Sequence, residues 1–150
     1  MRWAAPVIVL MLLAVLAAPA FANDDSARYS YISIENVSIN LAEEHAVVTV
    51  DYTIDDGISL LVMLLGKSDL RRKVLEVLDF ENARVQRLDL NRAVVIVSNA
   101  SDDYGGGTYW FPKHTFTVQI PDLTVTTPQE TRRFTHVREV PGGIGYFAAT

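Results

Sequence analysis

Apolar and polar residues alternate with a period of two along most of this chain, and fall at helical spacing in one stretch only. Ala46, Val48, Val50, Tyr52 and Ile54 alternate with Val47, Thr49, Asp51, Thr53 and Asp55, the pattern of a strand with one dry and one wet face. Before it, Tyr29, Tyr31, Ile32, Ile34, Val37, Ile39 and Leu41 are strand formers whose phase slips between Ile34 and Val37, which predicts a bulge near Glu35-Asn36. Ala42 to His45 reads as the turn between the two. Asp55-Asp56-Gly57 ends the second strand.

The exception runs from Ile58 to Leu78. Leu70, Val74, Val77 and Leu78 stand at i, i+4, i+7 and i+8, while Arg71, Arg72, Lys73, Glu76 and Asp79 fill the opposite face, so an amphipathic helix is predicted. Ile58 to Leu65 is almost wholly apolar and closes on Gly66. Periodicity leaves a buried short helix and a buried strand both open there; the helix is the preferred reading, with Gly66 as its stop and Ser68 or Asp69 capping the next helix. Two helices with a shared dry side need a sheet to lie on.

Strand character returns over Arg84 to Leu90 and Ala93 to Ser98, where Val94 to Val97 is apolar on both faces and predicts a central strand. Asn99 to Gly107 is a polar, glycine-rich loop. Tyr109 to Ile120 alternates again, bent near Pro112, and Leu123 to Thr126 and Arg132 to Val137 read as a last short hairpin through Pro128. Pro141 to Gly145 reads as a loose tail from which Tyr146-Phe147 docks back. The order β-β-α-α-β-β-β-β predicts an α+β fold: a mostly antiparallel β-sheet with a helical hairpin packed on one face.

The amino-terminal residues change the setting. No charged residue occurs from Trp3 to Ala22, Val7 to Ala18 is an apolar centre, and Ala20-Phe21-Ala22 follows Pro19 in the small-x-small pattern of a signal-peptide cleavage site. Residues 1–22 are therefore expected to be a signal peptide and residues 23–150 a single extracytoplasmic domain, secreted or associated with the cell surface. The run is also just long enough to span a bilayer if it is kept, which would make it a membrane anchor. The chain has no cysteine, so an exported domain of this size holds together by packing alone, without disulfides or thiolate metal ligands. Thirteen basic and eighteen acidic residues give a net charge of −5, a poor match to nucleic acid. Arg71-Arg72-Lys73 is the one basic cluster, and reads as a solvated helix face.

Candidate chemistry is sparse. Asn36-Val37-Ser38 and Asn99-Ala100-Ser101 are glycosylation sequons, with Asn99 in a loop and Asn36 in a strand. Gly66-Lys67-Ser68 lacks the earlier glycine of a phosphate-binding loop, since Leu61 stands there. Asp55-Asp56-Gly57 and Ser101-Asp102-Asp103-Tyr104-Gly105 are explained by turn chemistry and lack the spaced ligands and terminal Glu of a calcium loop. His45, His114 and His136 are scattered, so no metal-ligand set and no need for a cofactor emerges. Tyr104, Tyr109, Trp110 and Phe111, beside Gly105-Gly106-Gly107, are the candidate ligand-binding residues, as aromatic planes next to a glycine hinge.

The export signal, the run ending Leu64-Leu65-Gly66-Lys67, the amphipathic helix, Ala93-Val94-Val95-Ile96-Val97, the Gly-Gly-Gly-Thr-Tyr loop and Pro121-Asp122-Leu123-Thr124-Val125 together resemble small exported archaeal proteins, methanogen proteins in particular, of unassigned function. The resemblance implies an extracytoplasmic setting and carries over no catalytic residue.

Three readings follow. The first is a non-enzymatic binding or scaffold module of the cell envelope, meeting an envelope protein or a glycan through its open sheet face or through Tyr104 to Phe111. The second is a small secreted hydrolase or metal-dependent enzyme using Asp102, Asp103 and His114, which requires those side chains to converge. The third is a membrane-tethered accessory subunit, which requires residues 1–22 to be retained.

Overall fold

The computed structural model describes residues 31–150. The expected signal segment, residues 1–22, lies outside the described residues. The two first strands, β1 (Ile32–Ala42) and β2 (His45–Ile54), form an antiparallel hairpin whose register slips between Ile34 and Asn36, at the expected bulge. Two helices follow, α1 (Asp56–Leu65) and α2 (Ser68–Leu78), so the apolar run is helical. Seven further strands complete the fold: β3 (Ala83–Leu88), β4 (Arg92–Val97), β5 (Asp102–Asp103), β6 (Thr108–Phe111), β7 (His114–Thr126), β8 (Thr131–Val140) and β9 (Ile144–Phe147). The class is α+β and mostly β.

Six strands form one sheet in the order β3-β4-β2-β1-β7-β8, and β5, β6 and β9 form a second, small antiparallel sheet. All neighbours in the large sheet are antiparallel except β1 and β7, which run parallel over Asn36–Asn40 and Asp122–Thr126. The expected hairpin of Leu123–Thr126 with Arg132–Val137 through Pro128 is present, and it is the tip of a longer one, because Leu123–Thr126 continues the strand that begins at His114. β7 runs on through Pro121, which stands just outside the parallel pairing with β1 that begins at Asp122.

One face of the large sheet is dry. Val37, Ile39, Val48, Val50, Tyr52, Ala93, Val95, Phe116, Ile120 and Leu123 are buried on it, and α2 closes it with Leu70, Val74, Val77 and Leu78. Each such α2 side chain contributes about 2 kcal/mol of transfer free energy. On the open face Val47 pairs with Ile96 among half-buried residues. The last turn of α2 would leave orphan carbonyls. The irregular part of β7 supplies their partners: the Thr117 hydroxyl hydrogen is shared between the Glu76 and Val77 carbonyls, and His114 Nε2–H donates to the Leu78 carbonyl at 2.7 Å.

Tyr146-Phe147 docks back as expected, and the segment before it, expected to be loose, enters β9 at Ile144, paired with β6. Tyr146 stacks on Tyr109 with ring centroids 5.8 Å apart, and its hydroxyl lies 2.5 Å from the Glu43 carbonyl and 2.7 Å from Ser101 Oγ. A carbonyl can only accept, so Tyr146 donates to Glu43 and accepts from Ser101. This bond ties the small sheet to the β1–β2 turn.

Candidate docking site

The two helices bury very different surfaces. In α1, Asp55 caps the start, its carboxylate accepting from Gly57 N–H at 3.0 Å, and Gly66 N–H closes the end on the Val62 carbonyl at 3.0 Å. Between these caps Val62 is the one fully buried residue, with Ile58 packed partly against the core. Leu60, Leu61, Met63, Leu64 and Leu65 are 59%, 48%, 66%, 72% and 83% exposed. At 100° per residue those five cover an arc of about 200°, and Val62 points the other way. The dry side expected of both helices belongs mostly to α2, with α1 contributing Val62 and part of Ile58. Five large apolar side chains exposed within six residues make α1 the candidate interaction site.

α1 stays attached to the sheet through a polar cluster at its root. Asp55 N–H donates to the Tyr31 carbonyl at 3.1 Å, and the Tyr31 hydroxyl donates to the Asp69 carboxylate. Asp69 also receives the Arg72 guanidinium, and Lys73 Nζ lies 4.8 Å above the Tyr31 ring. The Tyr31 hydrogen bond, then that from Arg72, hold the Asp69 carboxyl below its ordinary range; burial, then the Asp69 carboxylate, pushes the Tyr31 phenol up. Lys67 Nζ donates to the Leu88 carbonyl at 2.8 Å, and the Tyr52 hydroxyl to the neighbouring Asp89 carbonyl at 2.6 Å. The helical connection is therefore pinned to the end of β3 while α1 itself projects.

The aromatic candidates divide between two environments. Phe111 is buried in the core, 6.4 Å from Phe80 and from His114 by ring centroids, and so is withdrawn from any surface site. Tyr109 is half-buried against Tyr146, Trp110 is 39% exposed and lies over Gly143 and Gly145, and Tyr104 is exposed. The strand pairing puts Phe111 and Tyr109 on alternate positions from Trp110, which is why these three adjacent aromatics do not make one platform.

Asp102, Asp103 and His114 are not gathered. Asp102 and Asp103 are exposed on β5, where the Asp103 carboxylate accepts from Gly105 N–H at 2.7 Å in a local turn. His114 is half-buried, stacked on Phe80 at 3.7 Å and edge-on to Phe116 at 5.0 Å. Burial holds its imidazole below the ordinary value, opposed by the Leu78 carbonyl and Asp79. It borders a cleft of about 260 Å³ with Glu81, Asn82, Asn99 and Pro112, which neither Asp102 nor Asp103 lines. Among the described residues no group of three or more His, Cys, Asp or Glu side chains is arranged to hold a metal.

Of the two sequons, Asn99 is exposed in a turn with φ 52°, a conformation Asn tolerates. Asn36 is half-buried in β1, its amide directed at Asp51 Oδ2 (3.3 Å) and Ser38 Oγ (3.4 Å). No family model, curated protein or solved structure matches this chain.

The site that sequence reasoning missed is α1. Its signal was the uncharged stretch from Gly57 to Gly66, apolar around too much of the helix circumference to be covered by one sheet.

Proposed function

We propose that this protein is an extracytoplasmic, non-enzymatic docking module that holds to the cell envelope through α1. The observation that carries the reading is the row Leu60, Leu61, Met63, Leu64 and Leu65, left exposed on a fold whose buried side-chain polar atoms all have partners among the described residues. Burying five such side chains against a partner contributes on the order of 5–10 kcal/mol before the cost of association, enough to drive docking. The apolar run at residues 1–22 supports an export route, whether it is removed as a signal peptide or kept as an anchor. The dispersal of Asp102, Asp103 and His114 supports a binding role over a hydrolytic one.

The test is photo-crosslinking in intact cells, with a photoreactive amino acid at Leu64 in the full chain and a control at exposed Asn40, at the other end of β1. Envelope cross-links from position 64 well above those from position 40 are the expected result. Equal labelling from the two positions would remove α1 as the docking element.

A further inference from the structure

We infer that the occupant of the α1 surface is a lipid bilayer, with α1 immersed as an apolar wedge and the start of α2 as its basic collar. This rests on the docking reading above and names its partner. A helix that packs on one protein face needs an apolar stripe of roughly 100°. The exposed arc of α1, about 200° at 100° per residue, is twice that width and suits a medium that surrounds the helix. At ten residues α1 is too short to cross a membrane, and no helix among the described residues is long and apolar enough to do so; it can only lie in the interface.

Charge points the same way. The chain as a whole carries −5, yet the segment from Lys67 to Lys73 sets Lys67, Arg71, Arg72 and Lys73 against the single carboxylate of Asp69. Asp55 and Asp56 stand at the opposite end of α1. Exposure rises toward the basic end, to 72% at Leu64 and 83% at Leu65, so the carboxy-terminal half of α1 enters deepest against anionic headgroups. Two further carboxylates temper the charge of this basic segment: Glu76, 3.6 Å from Arg72, and Asp79, which lines a groove with Arg71 and Arg72.

The chain's own path adds a third argument. The apolar run ending at Ala22 is followed by eight residues, Asn23 to Ser30, before Tyr31, whose carbonyl accepts from the N-cap residue of α1. Eight residues reach at most about 28 Å. While that run sits in a bilayer, during export or permanently, the root of α1 lies within that reach of the same membrane.

The absence of cysteine makes the experiment clean: Leu64→Cys and Asn40→Cys are labelled singly with an environment-sensitive fluorophore in the full chain. Each is reconstituted into vesicles of phosphatidylcholine alone, or with phosphatidylglycerol added, with and without nitroxide-labelled lipid. The expected result is a blue shift and lipid-dependent quenching at position 64, larger in the anionic vesicles, with neither at position 40. Arg71→Gln should narrow the difference between the two vesicle types. A water-exposed probe at 64 in both vesicles overturns the lipid assignment; if position 64 still cross-links to envelope proteins in cells, the docking reading survives with a protein partner. Shielding at 64 that grows with protein concentration in the absence of lipid makes the occupant a second copy and also overturns it. Loss of both the vesicle and the cellular signals removes the docking reading itself.

Discussion

Gly142 and Gly143 share nearly the same left-handed backbone, φ 72° and 73°, but a side chain would meet different surroundings at each. A Cβ on Gly142 meets nothing within 4 Å, whereas one on Gly143 would sit 2.4 Å from Trp110 Cζ2 and 3.0 Å from the Phe111 carbonyl oxygen. Gly142→Ala therefore isolates backbone strain, about 1 kcal/mol for a left-handed alanine. Gly143→Ala adds the displacement of an indole. Trp110 is 39% exposed, so of the roughly 200 Å² a tryptophan offers, about 120 Å² is covered. Lifting the ring off the turn uncovers about half of that, which at 25 cal/mol per Å² costs about 1.5 kcal/mol more. Chemical denaturation followed by far-UV circular dichroism should place Gly143→Ala about 2.5 kcal/mol and Gly142→Ala about 1 kcal/mol below the parent. In a Trp3→Phe background, Trp110 emission should shift to the red in the first variant only. Equal destabilisation of the two, with unchanged emission, would refute the packing of Trp110 on this turn.

Two further substitutions probe the polar contacts that hold the fold. Tyr146→Phe removes the hydroxyl between the Glu43 carbonyl and Ser101 Oγ and strands a serine that is 3% exposed, so a loss of about 1–3 kcal/mol is expected in the same denaturation assay; a neutral result would mean that water replaces the bond. His114 resists, in the folded chain, a proton that the unfolded chain takes up near its ordinary value of 6.5. Stability is therefore held above that pH and lost as pH falls through it. His114→Gln, which retains a donor for the Leu78 carbonyl, should flatten the fall in melting temperature between about pH 7.5 and 5.5; an unchanged slope would assign it to other groups.

The local periodicities carried much of the architecture. The alternation at Ala46 to Ile54, the phase slip at Glu35-Asn36 and the spacing of Leu70, Val74, Val77 and Leu78 are each properties of a few consecutive residues, and each became the corresponding strand, bulge or helix face. Where a residue's fate depended on chain-distant partners, the pattern was silent. The parallel pairing of β1 with β7 joins segments more than eighty residues apart, and it sets Leu123 to Thr126, half of the expected hairpin with β8, inside the large sheet. Phe111 and Trp110 are equally aromatic neighbours, yet strand alternation sent one into the core and left the other on the turn at Gly143.

What the amino-acid sequence determined by itself was composition-level and short-range: an uncharged amino-terminal run, the absence of cysteine, an α+β order, and an amphipathic helix beside an apolar run whose periodicity left helix and strand open. What only the tertiary structure decided was which apolar residues find cover. Leu61 and Leu70 are the same side chain in the same kind of element, and hydrophobicity gives both the same tendency to leave water. On the dry face of the six-stranded sheet the apolar side of α2 finds cover, whereas five large side chains of α1 stay exposed. Burial is a property of the assembled surfaces, and a one-dimensional pattern records only the demand for it.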